Sequence, residues 1–214
     1  MNSRRFHRGA GVGALLGLAV MASATAAENG VPDALVPVEV KHFDEAWEKP
    51  GADLAAYTAV LIRPATVTFS SNWRPRDYGS SGLRPDDVER LRTLYAKVAR
   101  DTFVRVLSDA GYRMATEPAS HVLELRAEIT DLHVNGPDAG SDALVRTYVR
   151  SAADMRLQLT LLDASSGAVL FRASDFRRGR ETGQLQWATS VYNRVEAEQT
   201  FAVWARQLRS WLGR

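Results

Sequence analysis

Leu123, Leu125, Ala127 and Ile129 alternate with Glu124, Arg126, Glu128 and Thr130, and the pattern recurs where Met155, Leu157, Leu159 and Leu161 stand opposite Asp154, Arg156, Gln158 and Thr160. A side-chain period of two belongs to β-strands, and apolar residues kept to one face require a sheet with one wet side and one covered side. After Ile129 the phase flips, because Asp131 and His133 take the formerly apolar positions, which predicts a bulge or the end of core contact there. Asp163-Ala164-Ser165-Ser166-Gly167 then forms a short connection into Val169-Leu170-Phe171, so these strands are expected to pair antiparallel.

Two helical patterns are available to cover the apolar face. The first opens at Pro85 with Asp86 and Asp87 at its positive end and stops before Gly111. Val88, Leu91, Tyr95, Val98, Thr102 and Val106 recur along it at steps of three and four, widened by Leu94, Phe103 and Leu107. The second runs from about Val191 to Leu212 and places Phe201, Trp204, Leu208 and Trp211 on one side. Ala59-Val60-Leu61-Ile62 is a short continuous apolar run, the mark of a strand covered on both faces. Residues 65–83 read as a long loop with an extended piece at Thr66 to Phe69. The expected fold class is α+β: a largely antiparallel sheet of about four to five strands, two main helices on one face, and the order strand-helix-strands-helix.

The amino terminus carries Arg4, Arg5 and Arg8, an apolar run from Ala10 to Ala22, and then Ala24-Thr25-Ala26. That is the order of a secretory signal peptide over residues 1–26. A run of about 13 residues falls short of the roughly 20 that span a bilayer as a helix. Export by the general secretory route is favoured over the twin-arginine route, because Phe6 follows Arg4-Arg5 one position too early for the usual pattern. The mature chain is expected to begin at Ala27 or Glu28, to hold no transmembrane segment, and to be soluble in the periplasm. Residues 27–50, with Pro32, Pro37 and Pro50, read as an extended leader, and 51–214 as a single α+β domain.

Three of the 27 basic residues and none of the 25 acidic ones precede Glu28, leaving 24 basic against 25 acidic. With no basic excess, no nucleic-acid partner is expected. Cysteine is absent, which excludes a lipid-modified Cys, a thiolate nucleophile and thiolate metal sites, and leaves stability to the core.

A family resemblance rests on several segments. They are Asp53-Leu54-Ala55-Ala56-Tyr57 leading into Val60-Leu61-Ile62, the Phe69 to Trp73 loop, Leu83-Arg84-Pro85-Asp86-Asp87, Gly111-Tyr112, the Leu123 to Leu132 strand and Trp204-Ala205-Arg206-Gln207-Leu208. Together, over roughly residues 40 to 212, they resemble the bacterial envelope family called domain of unknown function 3313. The resemblance implies an envelope location and carries no catalytic residues to transfer. Many members look like lipoproteins with a Cys at the cleavage point; this chain departs from that pattern, which favours a free periplasmic protein.

Sites of chemistry are sparse. Of the histidines beyond the signal, His42, His121 and His133, the last two lie twelve residues apart on one strand, about 40 Å at ~3.3 Å per residue. Asp131 and His133 are i, i+2 neighbours and would supply two metal ligands without a visible third. Ser165-Ser166-Gly167 suits a turn, and Asp86 with Asp87 suits a first helical turn, so neither requires catalysis. No catalytic residue, metal or cofactor is expected.

Two loops remain. Phe69, Asn72, Trp73, Arg74 and Tyr78 combine aromatics with a cation, which fits either a binding hot spot or an aromatic lid over the core. Arg177, Arg178 and Arg180, followed by Trp187, form a local basic cluster that fits an anionic or acidic partner or a solvated loop. The sequence therefore points to a non-catalytic periplasmic binding or accessory protein whose partner is an envelope protein or a cell-wall component. The competing class is a periplasmic hydrolase assembled from distant residues such as Asp131 and His133.

Overall fold

The computed structural model describes residues 35–78, 82–136, 148–179, 184 and 186–213, all within the unit Val31–Arg214. The expected signal segment and its cleavage site lie outside the described residues. In chain order the strands before the first helix are β1 (Val36–Pro37), β2 (Glu45–Glu48), β3 (Ala59–Ile62) and β4 (Thr66–Phe69). Helix α1 spans Pro85–Asp109. Then come β5 (Arg113–Met114), β6 (Val122–Val134), β7 (Tyr148–Val149), β8 (Ala153–Asp163), β9 (Val169–Arg177) and β10 (Gln186–Trp187), and helix α2 (Ser190–Leu212) closes the chain.

The protein is α+β with two helices, but its main sheet has eight strands in the order β1-β2-β9-β8-β6-β3-β5, with β4 also paired to β6. That corrects the expected four to five strands, and a run of strands precedes α1 where one strand was expected. β4 is the extended piece expected at Thr66 to Phe69; the added strands β1, β2 and β5 are two to four residues long, too short to display a period. β1 and β2 come from the segment read as a leader, where β2 joins the edge of β9 with Ala46 opposite Ala173 and Trp47 opposite Arg172. The sheet is also mixed. It is antiparallel from β1 across to β6 and parallel where β3, β4 and β5 join, because α1 is a crossover between parallel strands.

The two long alternating strands occupy the centre. Leu123, Leu125, Ile129, Leu157 and Leu159 are fully buried in one core cluster with Phe103, Leu107, Phe201 and Trp204 from the helices. Arg126, Glu128 and Gln158 on the opposite face are exposed, so the phase read from the sequence is the observed one. β3 lies between β6 and β5 with all four residues buried. Its second face is covered by a small cluster in which Ala59, Leu61 and Val122 meet Ala115 and Ala164. At the predicted phase flip the β6–β8 register shifts between Thr130 and His133, and Asp131 adopts a left-handed φ of 52°.

Both helices begin at the end of the sheet where β6 finishes. Asn193 in the first turn of α2 donates its side-chain amide to the Gly136 carbonyl (2.9 Å), and the loop leading to α1 is pinned at Leu132 and Val134. At the far end Asp109 to Tyr112 and Arg209 with Gly213 line one cleft with Tyr57 and Thr58. The chain therefore gathers its longest connections at a single pole.

Candidate binding surface

The Phe69–Tyr78 loop folds back on the core. Ser70 N–H donates to Leu132 O (2.9 Å), and Trp73 N–H to Ser70 O (3.0 Å). These bonds turn the Trp73 side chain inward, where only 6% of it is exposed and the indole Nε1 donates to the Val134 carbonyl (3.0 Å). The Phe69 ring stacks on it at 4.3 Å between centroids, and Tyr78 tilts against it at 5.8 Å. Burial raises the Tyr78 hydroxyl above its ordinary pKa. On the outer side, the Arg92 guanidinium lies 5.2 Å from the Phe69 centroid and also donates to the Val67 carbonyl. The backbone return needs glycine at position 82, where φ is +73° and a Cβ would meet Arg76 Cα at 2.8 Å. Of the five residues singled out here, Phe69, Trp73 and Tyr78 therefore form a lid, while Asn72 and Arg74 face solvent.

The second group divides in the same way. Arg177 points inward: its Nε lies 2.8 Å from an Asp175 carboxylate oxygen, and its Nη2 donates to the His42 carbonyl (3.3 Å). Asp175 is buried and also accepts from Trp204 Nε1 at 2.6 Å. Loss of solvent raises its pKa, against the lowering influence of Trp204 and Arg177. Arg178 faces solvent. Gly179 N–H donates to Asp154 Oδ1 (3.1 Å), and a Cβ at Gly179 would come within 2.7 Å of the Ala153 carbonyl oxygen. That contact fixes where Arg178 is presented. Arg180 lies outside the described residues.

Trp187 belongs to a two-stranded ribbon formed by β7 and β10, in which it stands directly opposite Tyr148. The inward residues Val149 and Ala188 are 7% exposed, whereas Tyr148 and Trp187 are each 51% exposed. Thr189 caps α2 by accepting from Tyr192 N–H (3.0 Å), and the exposed faces of its first turns carry Val191, 70% exposed, and Val195, 43% exposed. Arg150, Arg178 and Arg194 are exposed, and each is absent from the ion pairs among the described residues. Asn135 joins this region to the sheet, its N–H donating to Ala152 O (2.9 Å) and its amide to Ser151 Oγ (2.9 Å).

Both sequence-selected loops thus meet at the pole where β6 ends, and the structure adds Tyr148, Arg150, Val191, Arg194 and Val195. The available signal for the last group was apolar residues off the inward stripe of α2. Asp131 and His133 stand across the bulge; Asp131 lies 3.7 Å from Arg156 Nε, and His133 is opposite Asp154 in the ladder. Among the described residues no group of three or more His, Cys, Asp or Glu is placed to hold a metal ion. No described helix is long and apolar enough to cross a membrane.

A model of the family described as "Protein of unknown function (DUF3313)" matches residues 28–208. No curated protein matches the chain. Among solved structures the chain is similar to a PelC dodecamer from Paraburkholderia phytofirmans, at 16% identity and a TM-score of 0.37, covering 77% of this chain and 96% of that one. It is also similar to a DUF4136 family protein from Bacteroides thetaiotaomicron, at 11% identity and a TM-score of 0.36, covering 83% and 98%. A PDZ domain protein from Parabacteroides distasonis matches at 9% identity and a TM-score of 0.37 over 74% of this chain and 34% of that one. Scores this low carry no conclusion about what this chain does.

Proposed function

The chain belongs to the family of unknown function DUF3313, and from that premise we propose that it is a non-catalytic binding or accessory protein of the bacterial cell envelope. In this reading the signal peptide over residues 1–26 delivers it to the periplasm, and the pole at the end of β6 is its working surface. The observation that carries the reading is the cross-strand pair Tyr148 and Trp187, half exposed on a short ribbon, beside Arg150, Arg178 and Arg194. Large aromatics and arginine are the residue types enriched at binding hot spots, and a loop held by a rigid sheet and two helices is where such residues act. In this reading the exposed Asn72 and Arg74 serve the same pole, on the loop that the lid of Phe69, Trp73 and Tyr78 holds in place.

A photo-crosslinking side chain placed at Arg178 tests this in the envelope of living cells, with the same side chain at Ser165, in the opposite turn, as control. Adducts with an envelope component are expected at position 178 and not at 165. Equal yields at the two positions would remove the pole as the binding surface.

A further inference from the structure

We propose that this pole docks reversibly on an anionic phospholipid surface, with Tyr148 and Trp187 seated at the level of the headgroups and Arg150, Arg178 and Arg194 against their phosphates. The inference rests on the binding reading above and names its partner. Residues directly opposite in an antiparallel pair share one face, so Tyr148 and Trp187 present their rings together. Arg150 follows β7 in an exposed bend. Val191 and Val195 add exposed apolar side chains in the first and second turns of α2, with Arg194 beside Val195.

The chemistry of this face is that of a bilayer interface. Tyr and Trp, apolar in body and polar at the tip, concentrate at headgroup level, and exposed arginines beside them complete an amphipathic surface with affinity for anionic lipid. Among the described residues beside this face, Glu198 is engaged by Arg105, and Asp154 and Glu196 stand against three arginines, which leaves a net positive charge. The face is a protruding ribbon and a helix flank. Clefts lined by described residues run along Glu39 to His42 beside Gln207 and Trp211, along β4 and α1, and at the helix C-termini.

Flotation of the exported, processed protein with vesicles tests the proposal. Phosphatidylglycerol-containing vesicles should carry the protein at low salt, phosphatidylcholine vesicles should not, and high salt should release it. Trp187→Ala should weaken binding on the order of tenfold and Arg178→Ala about fivefold. Trp187→Phe should retain most of it, and Gln158→Ala, on the open face of the sheet, should change nothing. Circular dichroism of each variant keeps a folding defect apart from a binding defect. No flotation with anionic vesicles, or flotation indifferent to both Trp187 and Arg178, would overturn the lipid assignment. If anionic vesicles fail to carry the protein while position 178 still crosslinks specifically to an envelope protein, the lipid partner falls and the binding surface stands.

Discussion

Trp73 and Trp187 close the same pole of the sheet from two loops, and the loops have spent their aromatic residues differently. Trp73 is held on three sides: its indole N–H reaches the Val134 carbonyl, Phe69 stacks on one face and Tyr78 leans on the other. Trp187 rests on a ribbon two residues long, with its partner Tyr148 as exposed as itself. The first loop was given a buried acceptor at the end of β6 and so became part of the core. The second follows β9 after the apolar face is already filled by Phe201 and Trp204 from α2, which leaves its aromatic at the surface. One tryptophan is buried in the core, and the proposed binding surface draws on the other.

The largest effect that separates the two regions is on folding. Trp73→Ala removes a buried ring, opens a cavity under Phe69 and Tyr78, and strands the Val134 carbonyl. It should cost about 3–5 kcal/mol in chemical denaturation. Trp73→Phe should cost less, because most of the volume stays and only the hydrogen bond is lost. If Trp73→Ala leaves the midpoint unchanged but abolishes crosslinking at the pole, the roles assigned to the two loops are reversed.

A second contrast lies between this pole and the opposite turn, and it is read with acid. Asp163 accepts from the backbone N–H groups of Ser165 (3.0 Å) and Ser166 (2.7 Å) and from Tyr57 OH (2.7 Å). The Ser165 hydroxyl, then Tyr57 and Ser166, hold its carboxyl well below the usual carboxylate range. The folded form thus keeps Asp163 charged where the unfolded chain, titrating near pH 3.9, takes up a proton. The stabilisation is full above that unfolded value and is lost as the pH falls through the lowered folded value. Asp163→Asn should flatten the acid limb of the stability profile while leaving the pole's binding intact. A profile as steep as that of the parent would assign the acid limb to other carboxylates.

What could be read from the residues divides along physical lines. β6, β8 and α1 are 13, 11 and 25 residues long, enough to repeat a period several times, and the Asp131 bulge announced itself as a break in one. β1, β2 and β5 are held by backbone pairing at the sheet edge, and backbone pairing leaves no side-chain rhythm to find. β2 in addition carries Glu45 and Glu48 at its ends, so its buried Ala46 stands alone. In the two loops, composition marked Trp73 and Trp187 equally. Only the position of the Val134 carbonyl, 61 residues away from Trp73, separates lid from surface. Tyr148, Val191 and Val195 entered the surface through tertiary placement, as residues left outside a stripe that others had filled.

The smallest effect is the one that tests whether lid and ribbon are independent. Trp187→Ala removes a ring that is half in water and with it the cross-strand pair with Tyr148. Such pairs contribute roughly 0.2–1 kcal/mol, and the variant should denature within about 0.5 kcal/mol of the parent. The lid contacts of Trp73 are with Phe69, Tyr78 and the Val134 carbonyl, and the strand pair of Trp187 is with Tyr148. Changes at sites without a common partner add, to within about 0.5 kcal/mol. The double variant Trp73→Ala with Trp187→Ala should therefore be no less stable than the sum of the two losses predicts. A deficit well beyond that sum would mean that the ribbon rests on the lid. Crosslinking at position 178 would then report the integrity of the lid as much as the contact itself.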